Sequence, residues 1–386
     1  MKVCHFITRM IVGGAQENTF LSARGLVEAG HECVMLCGPS EGREGQLLQR
    51  MDNPGFEVVE SPLFVREIAP WTDLRAISFL SDFFRKRKFD VVHTHSSKAG
   101  ILGRIAGRIA GVPMVVHTIH GLAFGPYESR LKNMIYIHAE RYAAKKCDKI
   151  YSVAQAMIDQ CLAAGIGRPE QYKVVYSGME LDRFLNARPD AELRRSLGIP
   201  ENRRVVGAIA RLFPRKGYED FFPVAAEIVK SVPDTHFLIL GDGPSRKDYE
   251  KLVESLGLKE HVTFAGLIAP DEICRYIALM DAAAHFSLKE GLPRVAVQAL
   301  AEGKPVVAYH LDGTPEVVLN GRTGYTVAPE DRSAAASALI GLLKSPDRMK
   351  EMGENGRALV KDKFAWRVMS DTLISEYETF LAGKRS

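Results

Sequence analysis

Short β-branched runs alternate along the whole chain with segments whose apolar residues recur every three or four positions. The runs predict strands over 2–8, 32–38, 56–61, 91–95, 114–120, 149–154 and 173–177. A second series follows over 204–211, 235–243, 262–266, 282–287 and 305–310. Helical spacing predicts helices over 15–29, 72–86, 97–110, 130–146, 217–231, 246–256, 271–279, 333–344, 347–360 and 366–386, and over 293–302. Such alternation predicts parallel sheets with helices on both faces. Two series of strands imply two doubly wound α/β domains. The polar segment 178–202, poor in β-branched residues, reads as the joint, which gives domains 1–180 and 181–365. No internal repeat or low-complexity tract appears.

Composition narrows the function classes. The chain has 386 residues, 46% hydrophobic and 25% charged, as a soluble globular protein with a sizeable core does. Its net charge of +4 lies wholly in the first half, which holds 24 Lys+Arg and 20 Asp+Glu up to residue 190, against 27 and 27 after it. That excess is too weak for nucleic acid, and no basic motif with interleaved aromatics appears. It suits an anionic acceptor or a membrane surface. The six cysteines (Cys4, Cys33, Cys37, Cys147, Cys161, Cys274) form no C-x2-C pair and read as buried thiols. The start, MKVCHFITRM, reads as a strand rather than a signal peptide, and no 18-residue apolar stretch exists, so a cytoplasmic location is expected.

The most informative stretch is 281–319. Glu290 sits in a Gly-Leu-Pro turn (Gly291, Leu292, Pro293) ahead of a helix that opens near Arg294. A helix N-terminus offers unpaired N–H groups and partial positive charge, which suits a diphosphate. A carboxylate would repel phosphate, so Glu290 is expected to accept hydrogen bonds from hydroxyls. Together they suggest a sugar nucleotide. Arg211 and Lys216 lie in a strand-to-helix turn and can converge on phosphates. Gly13-Gly14 forms a similar turn after the first strand. No G-x-G-x-x-G follows a strand, since Arg246 fills the third slot after Gly241 and Gly243, which disfavours a nicotinamide enzyme. His93 and His95 share a strand face, but no third ligand stands at recognisable spacing, so no metal site and no cofactor are expected.

Several of these motifs, in this order, resemble those of the family 4 glycosyltransferases. The block from Glu290 resembles the E-x7-E element, with Gln298 in place of the second Glu. Arg211…Lys216 matches R-x4-K, Gly241-Asp-Gly243-Pro matches G-x-G-P, and Gly313-Thr-Pro-Glu316 matches G-x-P-E. Ser177-Gly-Met-Glu resembles the N-G-V-D linker loop. The resemblance implies the GT-B fold, two Rossmann-like domains with parallel sheets facing each other across a cleft, and a C-terminal helix crossing back to the first. The block over 94–125 resembles enzymes that build bacterial surface polysaccharides.

On this reading a hexose or N-acetylhexosamine moves, with retention, from a nucleoside diphosphate sugar, expected to be a UDP-sugar, to a glycan or polyprenyl-linked acceptor. Arg211, Lys216 and backbone near Arg294 would hold the diphosphate, with Gly243, Leu267 and Leu292 also lining the donor. Glu290 would orient the sugar hydroxyls and Gln298 the ribose. Gly14 and His120, the latter in an HG pair, would face sugar and acceptor. Glu316 reads equally as a cap for its own helix or as a ligand contact. A sugar-nucleotide epimerase and a non-catalytic binding module are the alternatives. The basic, amphipathic segment 128–146 reads either as a helix packed on the sheet or as one lying on a membrane.

Overall fold

Strands that are apolar on both faces need helices above and below, and the chain supplies them twice. The computed structural model describes residues 1–39, 47 and 55–385. It divides into one unit of Met1–Met179 with Ala365–Ser386 and a second of Glu180–Phe364. Among the described residues the first unit has a seven-stranded sheet in the order β3-β2-β1-β4-β5-β6-β7. These are β1 (Lys2–Arg9), β2 (Glu32–Gly38), β3 (Glu57–Glu60), β4 (Val91–His95), β5 (Met114–Ile119), β6 (Lys149–Ser152) and β7 (Tyr172–Val174). The second has six strands in the order β10-β9-β8-β11-β12-β13. They are β8 (Arg204–Ile209), β9 (Thr235–Leu240), β10 (Val262–Gly266), β11 (Ala282–His285), β12 (Val306–Tyr309) and β13 (Gly324–Val327). Every pairing is parallel. Strand order reverses between β1 and β4 and between β8 and β11. Open α/β sheets bind ligands at such switch points, beyond the carboxyl ends of the strands.

The last helix, Trp366–Arg385, belongs to the first unit. Its Trp366, Met369, Leu373, Ile374, Tyr377 and Leu381 join the core formed by Val3, Ile7, Phe20 and Tyr151. Ser177 is tied in nearby, its hydroxyl accepting from the Asn18 amide at 3.1 Å.

Three sequence expectations change. Strand β13 went unread because it is four residues long, begins with Gly324 and follows a turn. The strand expected over 235–243 stops at Leu240, because Gly241 to Gly243 turn away as loop. The joint contains helices the sequence reading did not place. It forms helices Asp182–Leu185 and Ala191–Ser196 in the second unit, the latter capped by the Asp190 carboxylate on the Leu193 N–H at 3.0 Å.

The helix Arg130–Ala144 buries only Ala143 and Ala144. Leu131, Met134, Ile135 and Tyr142 remain 63%, 52%, 49% and 53% exposed. Its polar face is anchored instead: Glu140 meets the buried Arg104 guanidinium at 2.6 Å. Of the five apolar residues the sequence offered on this stripe, Ile137 is half-buried and the other four stay exposed.

Three of the buried histidines of the first unit cluster in its core. His5 on β1 pairs with His93 on β4, and His95 shares its face two residues on. All three are fully buried. Burial holds His5 down at about 3 and holds His93 and His95 well below the ordinary 6.5. These rings stay neutral in the fold while the unfolded chain takes up protons, so their stability contribution is complete above pH 6.5 and is lost as pH falls below it. Each costs about 1.4 kcal/mol per pH unit in that window, and three together about 4. The first unit is expected to lose stability steeply between pH 6.5 and 5. Trp71 and Trp366, the two tryptophans of the chain, both report on it. A denaturant midpoint by tryptophan fluorescence that is equal at pH 7.5 and 5 would contradict this.

Candidate active site

The second unit gathers its polar groups at the switch point between β8 and β11. After β8 the chain runs through Arg211 to Gly217 and then enters helix Tyr218–Ser231. Gly217 has φ +88, and a Cβ there would stand 2.3 Å from the Phe286 carbonyl oxygen. Only glycine lets this loop rest on the end of β11. The Leu288 N–H donates to the Arg215 carbonyl at 3.1 Å, which fixes the two loops together. Lys216 thereby reaches across: its Nζ donates to Glu290 Oε1 at 2.8 Å and to Ser287 Oγ at 3.4 Å. The Glu290 N–H donates to Asp312 Oδ2 at 2.9 Å, and the Gly313 N–H to the Gly291 carbonyl at 3.1 Å. The carboxylate thus sits in a turn held from two sides.

Its electrostatics are set by opposing effects. Burial alone would push Glu290 up, but His285 and Lys216 outweigh it and hold the carboxyl below its usual range. His285, whose Nε2 lies 3.7 Å from Glu290 Oε1, is itself held down by burial. At neutral pH the centre is a carboxylate paired with Lys216 beside a neutral imidazole.

The remaining expected donor residues lie on the loops and helices that follow β8 to β11. Pro293 caps the helix Arg294–Ala301, one residue shorter at each end than expected. Leu292 is buried, and Gln298 is half-buried one turn after Arg294. Arg211 is exposed, with its guanidinium 5.0 Å from the Phe213 ring. Gly243 follows β9, where a Cβ would stand 2.4 Å from the Leu212 carbonyl oxygen. Leu267, after β10, is 78% exposed. Glu316 lies in the first turn of the short helix Thr314–Val317. His285, Ser287 and Asp312 were missed. The first two were legible as the polar residues flanking Glu290, while Asp312, 22 residues on, had no signal.

In the first unit Gly14 opens helix Gly14–Glu28 after β1, and His120 follows β5. His120 lines a cavity of about 290 Å³ together with His117, Arg104, Glu140, Phe124 and Tyr172. Its Nε2 lies 2.9 Å from His95 Nδ1. His5 is the third histidine that sequence spacing did not reveal beside His93 and His95, because it lies on another strand. Five of the six ring nitrogens of this cluster already have hydrogen-bond partners, Tyr377, Thr118, His120 and one another. Only His5 Nε2 has none among the described residues. A cation would have to break these bonds.

The chain is similar to known proteins over most of its length. The family pattern "Glycosyl transferases group 1" matches residues 189–359, and "Glycosyl transferase 4-like domain" matches residues 13–178. An Escherichia coli UDP-Gal:alpha-D-GlcNAc-diphosphoundecaprenol alpha-1,3-galactosyltransferase is 28% identical over 88% of this chain and 87% of its own. A Mycolicibacterium smegmatis GDP-mannose-dependent alpha-(1-6)-phosphatidylinositol monomannoside mannosyltransferase is 31% identical over 74% of each chain. Among solved structures, Anabaena Alr3699/HepE in complex with UDP superposes with a TM-score of 0.82 at 23% identity, covering 98% of this chain and 100% of that one.

Proposed function

The chain belongs to the family 4 glycosyltransferases of GT-B fold, and on that premise we propose that it transfers a hexose or N-acetylhexosamine from a UDP-sugar to a glycan or polyprenyl-linked acceptor, with retention, in surface-polysaccharide synthesis. The observation that carries this reading is the Lys216–Glu290 pair at the switch point of the second sheet, in front of the helix that opens at Arg294. Lysine has three N–H donors. One meets Glu290 and one faces Ser287, which leaves the third for a phosphate oxygen. Arg211 and the first N–H groups of the helix take up the rest of the diphosphate charge. Fixed positive groups stabilise a leaving diphosphate most where its charge grows, so this cluster does the work that a metal ion does elsewhere. Glu290 accepts from the sugar hydroxyls, and the Gln298 amide both accepts from and donates to the ribose.

The UDP assignment and the lipid-linked acceptor rest on the galactosyltransferase relative, whose name specifies both. Gly14 and His120 serve the sugar and acceptor from the first unit. The exposed apolar stripe on helix Arg130–Ala144 is flanked by Arg130, Lys132, Arg141 and Lys145, and supports contact with an anionic membrane surface.

The test is thermal stability against UDP-, GDP- and ADP-sugars, with and without chelator, followed by turnover with acceptor in anionic vesicles. A donor at about 100 times its Kd adds roughly 2.7 kcal/mol, a rise of several degrees. A rise with a UDP-sugar, unmoved by chelator, is expected. A response to GDP-sugars alone would overturn the base assignment, and loss of the rise on chelation the metal independence. Binding with no transfer to any acceptor would favour a silent binding module. Vesicles that leave the protein unbound would remove the membrane contact.

A further inference from the structure

We propose that Ile68, Trp71 and Leu74 form a second membrane anchor, which acts with the stripe on helix Arg130–Ala144 to seat the carboxyl edge of the first sheet on an anionic lipid surface. This rests on the reading above that the acceptor is carried by a membrane lipid. Trp71 is 83% exposed, and Ile68 and Leu74 stand exposed on either side of it at three-residue spacing. Trp71 and Leu74 lie at the start of helix Pro70–Arg87, and Ile68 just precedes it. Isolated apolar side chains on a surface need no explanation, but a cluster of large ones marks a place that something covers.

The topology sets this cluster level with the stripe already described. Helix Pro70–Arg87 follows β3 and helix Arg130–Ala144 follows β5. The strands run parallel, so both helices start at the carboxyl edge of the sheet and run back to the other. Helix Ser97–Ala110 packs against both, tied to the first by Lys98 on Asp73 at 2.6 Å and to the second by Arg104 on Glu140. Trp71 and Leu74 are the second and fifth residues of their helix, and Leu131 and Met134 are the second and fifth of theirs. Exposed apolar side chains therefore flank the edge at which His120 follows β5. The charge around them selects the lipid. Over 66–75 and 127–135 Arg66, Arg75, Arg130 and Lys132 are exposed, against one exposed carboxylate, Glu67. Asp73 and Glu128 are half-buried and paired with Lys98 and Lys132. Tryptophan settles at the headgroup level, where its ring is covered and its N–H stays wet. Arginine and lysine beside it meet anionic headgroups. A lipid surface moulds itself to two clusters on separate helices, which a rigid partner has to match in shape.

Trp71 is its own reporter, because Trp366, the other tryptophan, is buried in the core of the first unit. The full chain is mixed with vesicles of phosphatidylcholine and phosphatidylglycerol, with phosphatidylcholine alone as the control. Sedimentation, tryptophan emission and quenching by acyl-chain-brominated lipid are recorded. On the anionic vesicles the emission is expected to shift to the blue and to be quenched, and both changes should vanish in Trp71→Phe. Trp71→Ser is expected to weaken vesicle binding about tenfold, the value of covering one large apolar side chain, with Tm little changed because the exposed ring carries none of the core. Protein that sediments with vesicles while its emission stays unquenched would overturn the second anchor and leave the stripe on helix Arg130–Ala144 as the contact. Protein that sediments with neither vesicle would overturn both. A blue shift that grows with protein concentration in the absence of lipid would overturn the lipid assignment and give the cluster to a second copy of the chain. Leu131→Ser with Met134→Ser separates the two anchors. Adding Trp71→Ser to that pair should weaken binding further, and a triple variant no weaker than the double would overturn their joint action.

Discussion

Replacing Glu290 by alanine is expected to lower kcat/KM about 10²- to 10³-fold, the cost of removing one preorganised polar group from a transition-state site. Lys216→Met is expected to fall by a similar amount. The two side chains share one ion pair at 2.8 Å, so they act as a unit, and the double variant should be little worse than either alone. Both variants also change the ground state. Without Glu290, the Lys216 ammonium nitrogen keeps, among the described residues, only Ser287 and is less firmly aimed at phosphate. Without Lys216, the carboxylate beside His285 loses a charge that holds its pKa down. Glu290→Gln separates these contributions, because it keeps an acceptor for hydroxyls and a weaker partner for lysine. It should retain more activity than alanine. Turnover by the alanine variant within a few fold of the unaltered protein would remove Glu290 from the mechanism. Additive losses in the double variant would show that the pair is not a unit.

The largest stability effect is expected at Arg104, far from that carboxylate in sequence. Arg104 is fully buried, donates to the Gly100 carbonyl at 2.7 Å and meets Glu140 at 2.6 Å. Arg104→Met strands Glu140 at the wall of the cavity, and breaking such a pair costs about 3–5 kcal/mol. For a unit of this size that lowers Tm by roughly 6–20 °C. The double variant Arg104→Met with Glu140→Leu should recover most of the loss, since an apolar pair of similar volume needs no compensation. A single variant that melts within a degree of the unaltered protein would show that Glu140 finds water or another partner. The same pair also anchors the helix Arg130–Ala144 with its exposed apolar stripe, so vesicle binding should weaken with stability in the single variant and return in the double.

The α/β alternation was legible in the chain because parallel strands, covered on both faces, are written as uninterrupted apolar runs. Lys216 and Glu290 were legible one by one, each at a strand-to-helix turn beside glycine or proline. Their contact was not, because 74 residues separate them and only the β8–β11 pairing brings the turns together. The histidine cluster was hidden for the same reason: His93 and His95 declare a shared face by spacing, but His5 joins them through the β1–β4 register alone. Strand β13 and the short helices of the joint failed differently. Four to six residues carry too little periodicity to distinguish strand, helix and turn, and tertiary contacts decide. The exposure of Leu131, Met134, Ile135 and Tyr142 was undecidable for a third reason, since an apolar helical stripe has the same spacing whether protein, lipid or water lies against it.

The closing helix Trp366–Arg385 sets the order in which a nascent chain can mature. All of Glu180–Phe364 is made after the first 179 residues and before the helix that completes their core. At about 5–20 residues per second the ribosome needs roughly 10–40 seconds to add the 207 residues from Glu180 to Ser386. Through that interval Ile7, Phe20 and Tyr151 wait without Trp366, Met369 and Tyr377. The second unit, although encoded later, has its whole sequence before the first does. A premature stop within the codons for Trp366–Arg385 would therefore injure the unit encoded first, leaving a finished second unit attached to an unfinished partner that chaperones must shelter.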